Sequence, residues 1–179
     1  MEFKKFHVLN FSYSGFFSKT IRMGMGHFYS HSAIIYDIDG EDVTMAEALG
    51  SKTKEFNLYH YNMRDLQDMY DKNIVRGYDF GLQYKVETKD IIDSFIGFKY
   101  DYHTIIELGI KRILSFFKIK YTNSYESKKK LDCSESVARI LIKSGVLTEE
   151  EVLQLLNVDK VDWITPQLLD VLHYKVKNG

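Results

Sequence analysis

Strand signals and helix signals occupy different halves of this chain, and that segregation limits the fold more than any other feature of the sequence. The front half carries runs of β-branched and aromatic residues at Phe6 to Phe11, Ser32 to Tyr36 and Val43 to Ala48. Asp39-Gly40 supplies turn chemistry between the last two, which predicts a hairpin. Ile74 to Phe80 reads as a further strand, Lys54 to Tyr59 as a weaker one, and Phe16 to Met23 has the apolar spacing of a short helix. The back half reads as helices. Strands followed by helices indicate an α+β fold, a small antiparallel sheet packed against helices.

The helical segments are Thr88 to Ile96, His103 to Phe117, Cys133 to Lys143, Thr148 to Leu156 and Pro166 to Leu172. Cys133 to Lys143 is the best marked: Asp132 can cap it, Glu135 completes a capping box, and Gly145 ends it. Thr165 can cap the last helix, with Pro166 at its first position. His103 to Phe117 presents a broad apolar set, Ile105 to Phe117, with Glu107, Lys111 and Arg112 on the polar side. It suits a core-packing helix, or a surface that docks on lipid or a partner.

Pro166 is the only proline among 179 residues, and no Gly/Ser-rich or low-complexity run divides the chain, so residues 1–179 read as one domain. A domain of that size buries roughly 70% of the surface of its unfolded chain, enough to fold without disulfide or metal. A net charge of -1 argues against nucleic-acid binding as the main activity. With neither a secretory signal in Met1 to Asn10 nor an apolar run long enough to span a bilayer, a cytoplasmic protein is expected. The 13 Tyr and 12 Phe should supply aromatic rings to the core and to any cleft.

The single cysteine excludes an internal disulfide and a multi-cysteine metal site, leaving Cys133 as either an inert buried residue or a reactive thiol. Its place in the first turn of a helix favours a thiolate through unpaired N–H groups and the dipole. A free thiol is only a few per cent ionised at neutral pH, so a neighbouring imidazolium would matter more than the dipole alone. Asp132 works the other way unless capping occupies it. His31 precedes the apolar run Ala33, Ile34, Ile35 and should lie at the entry to a strand, a rigid post for a general base. Glu47, on the strand after the hairpin turn, either faces solvent or orients His31.

Tyr100 and Asp101 follow Gly97-Phe98-Lys99 in a loop after a helix, where a phenol either packs or donates to an oxyanion. His27, four residues before His31 and with Glu47 nearby, raises a metal site, but the segment lacks helical character and an HExxH pattern. His60 and His103 read as solvated, in loop or helix-start positions. Lys128 to Lys130 reads as a solvated run that could also attract an anionic substrate.

Five segments, in order, resemble the circularly permuted NlpC-type branch of the papain-like cysteine hydrolases, also called YiiX-like, in which the His-bearing hairpin precedes the Cys-bearing helix. Tyr29-Ser30-His31-Ser32-Ala33-Ile34 resembles the family's S-H-x-x-I strand, and Met45-Ala46-Glu47-Ala48 the strand that completes the triad. Gly97-Phe98-Lys99-Tyr100-Asp101 resembles the G-x-x-Y-D element, Asp132 to Val137 the C-S-E nucleophile motif, and Thr165 to Leu169 the T-P-x-x-L tail. Ser136 stands where the family has Leu, and the Gly-Asp element before the His strand is not evident. Ser14 to Arg22 is similar instead to the start of shorter phage or viral relatives.

The resemblance implies a permuted papain-like fold with the nucleophile at a helix N-terminus, and a peptidase or amidase acting through an acyl-enzyme. Cys133 would be the nucleophile, His31 the base, Glu47 its orienting partner and Tyr100 an aid to the oxyanion. No cofactor or metal is needed. The expected partner is a peptide or a small acyl-containing substrate, with a membrane surface allowed but not required. Two rivals stand beside it: a lipid acyl hydrolase or acyltransferase, which the apolar Ile105 to Phe117 segment favours, and a binding module with a vestigial site.

Overall fold

The computed structural model describes residues 2–14, 28–49, 54–85, 87–101 and 130–178. Seven strands form one sheet: β1 Val8–Phe11, β2 His31–Asp39, β3 Asp42–Leu49, β4 Glu55–Asn62, β5 Val75–Tyr78, β6 Lys99–Tyr100 and β7 Lys130–Leu131. Their spatial order is β5-β1-β2-β3-β4-β6-β7, antiparallel throughout except for the parallel β6–β7 pair. Five helices occur among the described residues: α1 Met63–Asp71, α2 Thr88–Asp93, α3 Cys133–Lys143, α4 Glu149–Leu156 and α5 Pro166–Asn178. The chain is therefore α+β.

The central strands read as continuous apolar runs because both faces of the sheet are covered. On one face Val8, Ile34, Ala46, Ala48 and Phe56 pack with Val137, Ile140 and Leu141 of α3 and Leu169 and Leu172 of α5. The alternate residues Leu9, Phe11, Ala33, Ile35, Val43 and Met45 point the other way, toward Leu66 of α1. The hairpin between β2 and β3 closes on the pair Asp39 and Asp42. Its loop is Gly40-Glu41, and Gly40 has φ +59°, at the first loop position where a type II′ turn requires glycine.

Several boundaries differ from the sequence reading for local reasons. Phe6 cannot open β1, because its φ of +65° breaks the extended run. Lys54 likewise has φ +57°, so β4 begins at Glu55, and it runs on to Asn62 as the full-length partner of β3. The Ile74 N–H closes α1 by donating to Met69, so β5 starts at Val75. Asp79 accepts from the Gly81 N–H at 2.8 Å, which turns the chain after Tyr78. α2 stops at Asp93, where Phe95 and Ile96 take tighter bonds to Ile92 and Asp93 ahead of Gly97 at φ +85°. Thr148 caps α4 rather than opening it, and α5 continues past Leu172 to Asn178.

The helix α1 was not expected; Asn62 caps it by accepting from Arg64. His60 lies on β4, exposed beside Asp42 at 2.9 Å, and not in a loop. The expected helices Phe16 to Met23 and His103 to Phe117, with His27 and His103 themselves, lie outside the described residues, as do Lys128 and Lys129. Among the described residues, no helix is long and apolar enough to cross a membrane.

α3 ends in a Schellman motif: the Val146 N–H reaches Leu141 at 3.1 Å and the Gly145 N–H reaches Ile142 at 3.0 Å. Gly145 has φ +65°, and a Cβ there would meet no atom within 4 Å, so substitution carries only conformational strain. Gly145→Ala is expected to lower unfolding stability by about 1 kcal/mol, read from urea midpoints, with no change in the sheet.

Candidate active site

The end of a strand and the start of a helix meet at this site. His31 is the first residue of β2 and Cys133 the first of α3. Both positions are stiff. β2 is held by β1 on one side, where Phe11 pairs with His31, and by β3 on the other. α3 is held at its start by a reciprocal capping box: Asp132 accepts from the Glu135 N–H at 2.7 Å, and the Glu135 carboxylate accepts from the Asp132 N–H at 3.4 Å.

His31 stands between two acidic partners. Its Nε2 lies against Oε2 of Glu47 in a short, buried contact, and the ring is within electrostatic reach of the Cys133 side chain. With Nε2 committed to Glu47, Nδ1 is the nitrogen left to exchange a proton with the sulfur. Glu47 is fully buried, while Cys133 and His31 keep 5% and 6% of their surface exposed.

Burial by itself pushes the His31 imidazole down, but the charge of Cys133 and then that of Glu47, together with the hydrogen bond to Glu47, outweigh it. The net result is an imidazole pushed up to about 10. His31 is therefore set up to be a cation at neutral pH, beside the Glu47 carboxyl group and the Cys133 sulfur.

Behind Glu47 stand two phenols that sequence reasoning missed. Tyr61 of β4 donates to Oε1 of Glu47. Tyr13, just after β1, hydrogen-bonds Tyr61 and stacks near-parallel on the His31 ring, with centroids 6.0 Å apart and an interplanar angle of 28°. Register hid Tyr61: Glu47 sits opposite Asn57 and Tyr61 opposite Val43, so the two share a face but lie beyond the direct and diagonal cross-strand neighbours that a strand pattern suggests.

Tyr100 lies on the short strand β6 and not in a loop, paired with Leu131, and its ring is buried in the same apolar cluster as Cys133. Asp101, also buried, continues the junction by donating its N–H to Leu131 at 3.0 Å. Ser136, the departure from the family pattern, is fully buried, and its hydroxyl bonds back to the Cys133 carbonyl at 2.8 Å. Among the described residues, no group of three or more His, Cys, Asp and Glu is arranged to hold a metal ion.

A second buried charged group flanks Cys133. Asp132 and Glu135 are 3% and 2% exposed, and Arg139 bonds both Glu135 and Asp162 at 2.7 Å. Burial pushes both capping carboxyls up; for Glu135 the charge of Asp132 adds to it and Arg139 opposes it. No protein-family model and no curated protein matches this chain.

These raised carboxyls have a definite sign. The native state keeps a proton that the unfolded chain has already released, so the stability it contributes is full below the ordinary carboxyl range, near pH 4, and is lost as pH rises through the native values. Urea unfolding should show stability falling between about pH 5 and pH 8. Glu135→Gln should flatten that fall by about 1 kcal/mol or more; an unchanged slope would place the retained proton elsewhere.

Proposed function

We propose that this chain is a cysteine hydrolase of the peptidase or amidase type, built on a permuted papain-like fold of the NlpC kind. The observation that carries the reading is the buried His31 ring, bonded to Glu47 on β3 and within electrostatic reach of Cys133 at the tip of α3. An imidazole so placed can hold the thiol proton while Glu47 fixes its orientation and tautomer.

In the first step the Cys133 sulfur attacks the carbonyl carbon of an amide, forming a C–S bond as the carbonyl electrons move to oxygen. As the first residue of α3, Cys133 has a backbone N–H with no acceptor inside the helix, and that donor suits the oxyanion. Collapse of the intermediate breaks the C–N bond, and the leaving amine takes its proton from His31. Water then attacks the thioester with His31 as base. The acid product departs and the thiol is restored.

A peptide or another small acyl donor is the substrate class that the motif resemblance implies. The segment that favours a lipid acyl hydrolase, Ile105 to Phe117, lies outside the described residues, and no described feature adds to that rival. Residual exposure of 5% at Cys133 calls for a small probe. Iodoacetamide should alkylate Cys133 rapidly at neutral pH. His31→Ala should slow it by roughly thirtyfold, the ratio between a fully ionised thiol and one ionised to a few per cent. Labelling at the rate of a free thiol in the wild type, unaffected by His31→Ala, would sink the proposal.

A further inference from the structure

We propose that Tyr61 and Tyr13 are positioning residues of this site: a two-phenol chain that holds the outer oxygen of Glu47, so that the carboxylate remains the anionic acceptor for His31. This inference rests on the hydrolase reading and extends it beyond the Cys-His-Glu set.

Glu47 is fully buried, so solvent cannot satisfy either oxygen. Oε2 is occupied by His31 and Oε1 by the Tyr61 hydroxyl. A buried carboxylate oxygen without a donor is costly, and a carboxylate can escape that cost by taking a proton. The nearest proton is the one on His31. Were Glu47 to take it, both groups would become neutral and Cys133 would lose its cationic partner.

The choice of a phenol matters. A lysine or arginine at Oε1 would satisfy the oxygen but cancel the charge that His31 needs. A phenol donates without neutralising. Burial, with the charge of Glu47 next, pushes the Tyr61 hydroxyl far above its ordinary value, so it keeps its proton and stays a donor throughout the working range.

Tyr13 completes the arrangement in two ways. Its hydrogen bond to Tyr61 fixes the Tyr61 hydroxyl, and its ring packs against both Phe11, at 5.1 Å and 12°, and His31, in a cluster in which Phe11 and His31 are themselves 5.8 Å apart. Among the described residues, the titratable groups interacting with Glu47 are thus His31 from β2, Tyr61 from β4 and Tyr13 after β1, with Cys133 from α3 reached through His31. Tyr61 and Tyr13 touch neither sulfur nor substrate carbonyl in this scheme; they act through Glu47.

The test is the pH profile of Cys133 alkylation by iodoacetamide. In Tyr61→Phe the ring stays and only the donor goes. The outer oxygen of Glu47 is then left without a donor, and the acid limb of the profile should move to higher pH by about one unit or more, the worth of one hydrogen bond to a charged group. Tyr13→Phe should move it the same way by less, because the bond it removes is one step further out.

Tyr70→Phe removes a hydroxyl from another ring packed on the same core, and should leave the limb in place. A wild-type profile that depends on His31 but is left in place by Tyr61→Phe, in a variant that unfolds as cooperatively as the wild type, overturns the phenol chain alone. A wild-type profile with no dependence on His31 overturns the hydrolase reading and the chain with it.

Discussion

One buried carboxylate sets the terms for the rest of this site. Glu47 has no exposed surface, so it can keep its charge only if protein groups replace the water it has lost. Both of its oxygens are bonded, one to His31 and one to Tyr61. That requirement fixes the registers around it: β2 must bring His31 to the end of its strand, and β4 must carry Tyr61 on the same face. The His31 cation and the Glu47 anion are mutually dependent, since either left alone in this interior would be driven to its neutral form.

Such an arrangement works only if the scaffold is ordered before the charges form. The sheet supplies that on one side, with β2 paired along both edges. On the other, α3 is buried along most of its length and locked at its start by the Asp132–Glu135 box. Ser136 adds a hydroxyl bond back to the Cys133 carbonyl, so a polar residue is satisfied where the resemblance predicts leucine. The departure changes the packing partner without loosening the first turn.

The elements that hold the site were legible in the chain. Asp132-Cys133-Ser134-Glu135 announces a capped helix with a cysteine in its first turn, and α3 has the bounds that pattern gives. Val43 to Ala48 and the Asp39-Gly40 turn placed Glu47 on a strand beside β2, because period-two alternation and turn chemistry are local properties. What local pattern could not give was which side chains reach across. Tyr61 meets Glu47 only through the coiling of two paired strands and the length of both side chains, and Tyr13 only through stacking on His31. The buried partners of Arg139 escaped for a similar reason: Glu135 was read as half of a cap, while Asp162 comes from beyond α4 and carries no motif.

The two buried charged groups bear on one another through the nucleophile. A thiolate at the head of α3 gains from the helix dipole but loses from any full negative charge at the cap, where Asp132 sits one residue away. Glu135 and Asp162 share one guanidinium and Asp132 caps the helix beside Glu135, so complete ionisation would leave this end of the helix strongly negative. Burial resolves part of that conflict by pushing the two capping carboxyls up, which lets the pair retain a proton at pH values where exposed carboxyls have lost theirs. Each proton kept at the cap removes repulsion from the sulfur. The same burial that makes the capping box costly to ionise therefore spares the sulfur beside it part of the negative charge that full ionisation of the cap would bring.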